Sequence, residues 1–240
     1  MNLILFEAAE INQPLATTDR RAAHILDVLR RKVGDTFDAG VINGPRGKGT
    51  VRSRAADHLS LHFTWDDAPP RPLEPITLIV GLPRPQTARD ILRDATTLGA
   101  SALHFVCTEN SERSYAQSTL WSSGEWRRHV VTGAEQAFDT RIPDVTFDSD
   151  LDGVLSAGSG SAVRLALDNY EAPVRFGDAT IIQGTGCVIA VGGERGWSAA
   201  DRDALRIQGF SLVHLGPRVL RTETAVIAAL TLIRAKLGLM

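Results

Sequence analysis

Arg218, Arg221 and Glu223 fall close together in the stretch Leu-Gly-Pro-Arg-Val-Leu-Arg-Thr-Glu-Thr-Ala at 215–225. Two guanidinium groups beside a carboxylate can steady a developing negative charge, hold a phosphate, or pair with each other as a buttress. The stretch leaves a short apolar strand, passes a Gly-Pro turn and enters a helix. Val226, Leu230, Ile233 and Leu237 form one apolar stripe on that helix. Thr222 is expected to cap it, with Glu223 in the first turn, where the helix dipole favours negative charge. A loop this polar between two buried elements must find partners for its backbone groups, and a ligand can supply them.

A second stretch has the same layout. Cys-Val-Ile-Ala-Val at 187–191 reads as a buried strand, followed by Gly-Gly-Glu-Arg-Gly at 192–196, Trp197 and Ser198. Ser198 with Asp201 approximates a capping box at the start of a helix. Both loops would lie at the carboxyl ends of strands, where open α/β sheets bind ligands.

Together the two loops resemble the RsmE-like RNA methyltransferases of the SPOUT superfamily. That family carries a Gly-Pro-Glu-Gly-Gly-type loop and then Leu-Gly-x-x-Ile/Val-Leu-Arg-x-Glu-Thr-Ala. The second pattern is matched in full at 215–225, and the first at Gly192, Glu194, Gly196 and Ser198. Near the amino terminus, His-Ile-Leu-Asp-Val-Leu-Arg at 24–30 is similar to a run in the family's PUA-like domain.

The resemblance implies a C-terminal SPOUT domain over 74–240, with a mainly parallel sheet and a trefoil knot. It implies a small PUA-like β-barrel over 1–68 as an RNA-binding module. It implies S-adenosylmethionine (SAM) as cofactor and N3 of a uridine in small-subunit (16S) ribosomal RNA as methyl acceptor. Carried onto matching positions, the cofactor pocket comprises Leu167, Gly192, Gly193, Glu194, Gly196, Leu215, Gly216, Val219, Leu220, Thr222 and Thr224. Main-chain groups of Leu215, Val219 and Leu220 would meet the adenine edge, and the glycines would let backbone approach closely. Arg221 and Glu223 are the candidate catalytic pair, with Glu223 read as orienting Arg221. Glu194 can instead bind backbone N–H groups. SPOUT pockets are usually completed across a homodimer, so a dimer is expected.

The residues also bound the answer. The chain has 240 residues and a formal net charge of −2, so RNA must be held by local patches. Arg20, Arg21, His24, Arg30 and Arg31, with Arg46 and Lys48 on an expected hairpin tip at 43–49, form one such set, and Arg218 joins it from the C-terminal loop. Singly, each such cation more often only solvates a helix end. Cys107 and Cys187 read as buried thiols, and no histidine spacing suggests a metal. No apolar run reaches membrane-spanning length and 1–6 lacks a basic leader, so a cytoplasmic protein is expected.

The elements that must position these groups follow in order. Residues 20–31 are expected as a helix with Ile25, Val28 and Leu29 on its apolar stripe and Asp19 as cap. Prolines at 69, 70, 72 and 75 mark a domain boundary. Beyond it strands and helices alternate: strands at 76–82, 102–107 and 163–167, a helix capped by Thr87 and ended by Gly99, and a helix over 121–138. Gly184-Thr-Gly186 precedes its strand, so it is no dinucleotide loop, and 44–50 lacks P-loop spacing.

Departures from the family pattern stand at Asp94, Thr97, Asp139, Gly193 and Arg195. They cluster around the presumed substrate side. Two alternatives therefore stay open: methylation of a different RNA or base, and an RNA-binding or assembly factor that transfers no methyl group.

Overall fold

The computed structural model describes residues 3–157 and 162–240. The chain forms two compact units, residues 1–72 with 134–142, and 73–133 with 143–240.

The first unit holds strands β1 (Ile4–Phe6), β2 (Leu15–Ala16), β3 (Thr36–Val41), β4 (Arg46–Arg54) and β5 (His58–Trp65) in the order β1-β3-β4-β5-β2. β1 pairs parallel with β3, and the other pairings are antiparallel. Ile4, Phe6, Ile25, Phe37, Val51 and Leu59 fill its core. Helix α1 spans Arg20–Ala23, capped by Asp19, and then widens into one π-helical turn over His24–Val28. The expected helix to 31 is therefore shorter. Arg30 takes a left-handed φ of 53°, which ends it, and Val28 is exposed instead of joining the apolar stripe.

The expected basic hairpin tip is also different. Residues 46–49 are already strand β4, paired with both β3 and β5. A Cβ on Gly47 would lie 2.0 Å from the Thr64 carbonyl oxygen, and one on Gly49 would enter the Phe37 ring at 2.4 Å. These glycines serve sheet packing, not a phosphate loop. Thr140 is buried here and its hydroxyl donates to the Gly44 carbonyl, which brings residues 134–142 into this unit.

The second unit is built on strands β6 (Glu74–Gly81), β7 (Ala100–Cys107), β8 (Asp144–Asp150), β9 (Val163–Leu167), β10 (Val174–Arg175), β11 (Cys187–Val191) and β12 (Ser211–His214). Their order is β10-β12-β9-β11-β6-β7-β8, and every pairing is parallel. This is the mainly parallel α/β sheet expected. From β6 the chain steps outward through β7 to β8, then crosses to β9 on the other side. That reversal opens a crevice at the carboxyl ends of the strands.

Helix α2 (Pro85–Thr97) starts with proline at its first position, two residues before the expected Thr87 cap, and Gly99 follows it at φ 84°. It buries Ala88, Ile91, Leu92 and Ala95 and packs on α7 (Thr222–Leu237). The expected helix over 121–138 is interrupted at Gly124, φ 75°, giving α3 (Thr119–Ser122) and α4 (Glu125–Ala137). α5 (Leu151–Ala157) and α6 (Ala199–Ile207) complete the helices. On α7, Val226, Leu230, Ile233 and Leu237 are all buried, and Gly238 ends it in the left-handed region. No helix of the described residues is long and apolar enough to cross a membrane.

Candidate functional site

Three parallel strands deliver the site. β9 ends at Leu167, β11 at Val191 and β12 at His214. The loops that follow, 168–173, 192–198 and 215–221, meet around a cavity of about 620 Å³. Leu167, Gly192, Gly193, Glu194 and Gly196 line one side of it. Leu215, Arg218, Val219, Leu220, Arg221, Thr222 and Glu223 line the other. Gly216 and Thr224 do not reach it; Gly216, at φ 108°, makes the turn out of β12.

Cross-braces fix the loops. Trp197 Nε1–H donates to the Leu167 carbonyl at 3.0 Å, tying the loop after β11 to the end of β9. Asn110 Nδ2 donates to the Gly196 carbonyl at 3.3 Å. The Glu194 carboxylate accepts the Arg84 N–H at 3.0 Å, so Glu194 binds backbone within its own unit. Gly192 is needed for the loop's own packing, because a Cβ there would lie 2.9 Å from Gly196 Cα. Gly81, ending β6, is similarly tight: its Cβ would sit 2.8 Å from the Gly193 nitrogen. Ser198 and Asp201 form the expected capping box at the start of α6.

Thr222 is not the cap of α7. It is the first helical residue, and Arg221 takes the cap position without a side-chain capping bond. Thr222 is instead buried beside the cavity. Its burial takes the hydroxyl away from the capping position. The alternative reading of the arginines and carboxylate as a buttress finds no ion pair: among the described residues, Arg218, Arg221 and Glu223 make none. Their charges are left for something other than each other.

The loop after β9 contains a group that sequence reading missed. Asp168 is buried and accepts the N–H of Tyr170 at 2.9 Å, while its other oxygen takes Arg202 Nε at 2.8 Å. Burial alone would raise its pKa. The backbone N–H of Glu171, the Arg202 guanidinium and the N–H of Tyr170 outweigh this and hold it below 3.8. Arg202 continues to Glu171, and Glu171 to Arg206. The only sequence signal was an Asp-Asn pair ending a strand, a common turn. Arg84, Thr87, Tyr170, Arg195 and Trp197 also line the cavity. They come from three separate segments, and only the shared cavity brings Arg84, Thr87 and Tyr170 to the loop of Arg195 and Trp197.

The basic set of the first unit divides. Arg21 is half-buried in ion pairs with Glu10 and Asp19, and those pairs raise its pKa further. It is a structural cation. Lys48 pairs with Asp38 at 2.6 Å, Arg46 lies over the Phe138 ring, and Arg20 approaches Glu135. Arg30 and Arg31 are exposed and make no ion pair among the described residues; His24 is half-buried. Cys107 and Cys187 form no disulfide, and burial pushes the Cys187 thiol up to about 12. Among the described residues no group of three or more His, Cys, Asp or Glu side chains could hold a metal ion.

A parallel sheet with its cavity at a reversal of strand order is an open α/β sheet with a ligand crevice at its switch point. Residues 69–234 match the model of the RNA methyltransferase domain. The ribosomal RNA small subunit methyltransferase E of Treponema pallidum is 35% identical over 98% of this chain and 91% of its own length. Its counterpart numbered 1 in Borreliella burgdorferi is 26% identical over 99% of each chain. The crystal structure of the Neisseria gonorrhoeae enzyme of that name, bound to S-adenosyl methionine, superposes with a TM-score of 0.79 at 23% identity, covering 98% of this chain and 97% of that one. A probable rRNA-methyltransferase from Porphyromonas gingivalis gives 0.82 at 22% identity, covering 98% and 99%. These two show the shared fold. The chain belongs to the family of ribosomal RNA small subunit methyltransferases E.

Proposed function

We propose that the chain transfers a methyl group from SAM to N3 of a uridine in small-subunit (16S) ribosomal RNA. One observation carries this reading: the two glycine-bearing loops, 192–198 and 215–221, converge on one cavity at the carboxyl ends of parallel strands. The cavity suits a nucleoside-sized ligand. Its volume lies within the roughly 300–1,000 Å³ of small-molecule pockets. Gly192, Gly193 and Gly196 in its lining let main-chain donors and acceptors be reached without an intervening side chain.

When bound, SAM supplies an electrophilic methyl group on a cationic sulfonium. Leu215, Val219 and Leu220 would hold the adenine edge through main-chain groups, with Leu167 flanking it. The chain's largest contribution to rate would be alignment of the acceptor nitrogen. Uridine N3 carries a proton that must leave. Arg221 would stabilise negative charge on the uracil oxygens. Glu223 would orient Arg221 or take the proton from N3; the lack of an ion pair on its carboxylate among the described residues supports the second role. Glu194 braces the loop, and Arg218 would hold a phosphate.

The same reading carries three further proposals. Residues 1–68 act as a PUA-like barrel that binds RNA, with 74–240 as the SPOUT methyltransferase domain. The C-terminal segment is threaded as a trefoil knot, a reading that rests on the resemblance to the SPOUT superfamily. The working form is a cytoplasmic homodimer. Ile227 and Leu232 on α7, and Leu239 and Met240 after it, are exposed apolar side chains that such an interface could cover. Ribosomal RNA from a strain lacking the protein, mapped by mass spectrometry, tests the reaction. One methyluridine should be lost from 16S RNA and restored by the purified chain. An unchanged 16S RNA overturns the reading.

A further inference from the structure

Tyr170 is 80% exposed, although its loop is held by buried groups. Asp168 fixes the Tyr170 backbone N–H at 2.9 Å. The Arg202 guanidinium, itself held by Asp168, lies 5.3 Å from the ring centroid. The Arg202 cation thus lies over one face of the ring, which is otherwise largely open to solvent. The ring also rests beside the loop after β11, since a Cβ on Gly196 would come within 4.0 Å of Tyr170 Cε2. Arg195, one residue before Gly196, is exposed and makes no ion pair among the described residues. Both side chains border the cavity.

A rigidly based aromatic face beside an unpaired guanidinium, at the mouth of a nucleotide cavity, matches the two parts of an unstacked nucleotide. A base offers a π-face and its backbone a phosphate. The net charge of −2 makes such local contacts necessary for holding a polyanion. We infer that Tyr170 and Arg195 form a clamp for a nucleotide of the substrate RNA, with the base stacked on the open face of Tyr170 and a phosphate on Arg195. This rests on the methyltransferase reading and extends it to the recognition of the RNA. The cation under the ring is part of the device: it anchors the ring and leaves one face for the base. Arg195 also stands where the family usually has glycine, so the clamp would be a property of this chain.

The test uses the full-length chain, a 16S RNA fragment and SAM. Tyr170→Ala should raise KM for RNA about tenfold, the size expected for one lost base stack, with the SAM Kd unchanged. Tyr170→Phe should restore KM, because stacking needs the ring and not the hydroxyl. Arg195→Ala should weaken RNA binding and reduce the salt slope by about one. An unchanged KM for Tyr170→Ala overturns the clamp, as does an equal loss of SAM affinity, which would place the ring on the cofactor. A wild-type chain that methylates no ribosomal RNA fails the parent reading instead. Direct RNA binding by wild type and Tyr170→Ala then still decides the clamp: equal affinity overturns it, and a tenfold loss supports it.

Discussion

The indole N–H of Trp197 donates to the main-chain carbonyl of Leu167, 3.0 Å away and thirty positions earlier in the chain. This bond locks the end of β9 to the loop after β11, and both border the cavity. Trp197 is 97% buried, so its loss would be felt twice. Trp197→Phe keeps an aromatic ring but leaves the Leu167 carbonyl without its donor. That carbonyl is only half-buried, so losing the bond costs about 0.5–1.5 kcal/mol. Thermal unfolding should move down by several degrees, and calorimetry should show weaker SAM binding. Unchanged affinity would mean that the brace does not shape the cavity.

Arg221 should separate activity from stability. Its guanidinium is exposed and makes no ion pair or hydrogen bond among the described residues, so truncation removes no polar contact of the side chain. Arg221→Ala should lower kcat by about 100-fold, as for a lost charge-stabilising donor. Stability should move by no more than about 0.5 kcal/mol. Chemical denaturation beside a methyl-transfer assay checks both. Equal loss of both would return Arg221 to a buttressing role.

The Asp168–Arg202 pair should behave as a buried ion pair, because the two side chains are 2% and 9% exposed. Asp168→Asn leaves Arg202 without its charged partner there, and breaking such a pair costs about 3–5 kcal/mol. The pH dependence follows from the lowered pKa of Asp168. The folded state binds this proton more weakly than the unfolded chain does. The pair's contribution is therefore present above the unfolded value near 3.8 and fades as pH falls through the lower folded value. Acid unfolding of the wild type should show this added loss below about pH 4, and Asp168→Asn should not.

Two glycines should respond differently to alanine. At Gly192 a Cβ would strike Gly196 Cα at 2.9 Å, so the loop must shift and SAM affinity should fall. At Gly216 nothing lies within 4 Å, but φ is 108°. Gly216→Ala should cost about 1–3 kcal/mol in backbone strain. Its SAM affinity should change less than that of Gly192→Ala, which titration calorimetry can rank.

The legibility of these features in the sequence followed from how local their causes are. The stripe of α7 and the Ser198–Asp201 box repeat at fixed spacing, so they can be read from the residues. The glycine-bearing loops could be placed at strand ends for the same reason. β8 went unread because it is a sheet edge: Asp144 and Asp150 sit exposed there, and charge on an edge strand hides its pattern. The Thr222 cap was misplaced because burial beside the cavity overrode a side-chain preference. Asp168, Arg202 and Trp197 are joined by long-range bonds that spacing does not encode. The same applies to residues 134–142, whose Thr140 packs into the space left by Gly40.

A crystal structure of the chain grown with SAM tests the central claim most directly. It should show the adenine against the main chain of Leu215 and Leu220, with the methyl group directed toward Arg221 and Glu223. The nucleotide bound away from these two loops, or a cavity that stays empty at saturating SAM, would contradict it.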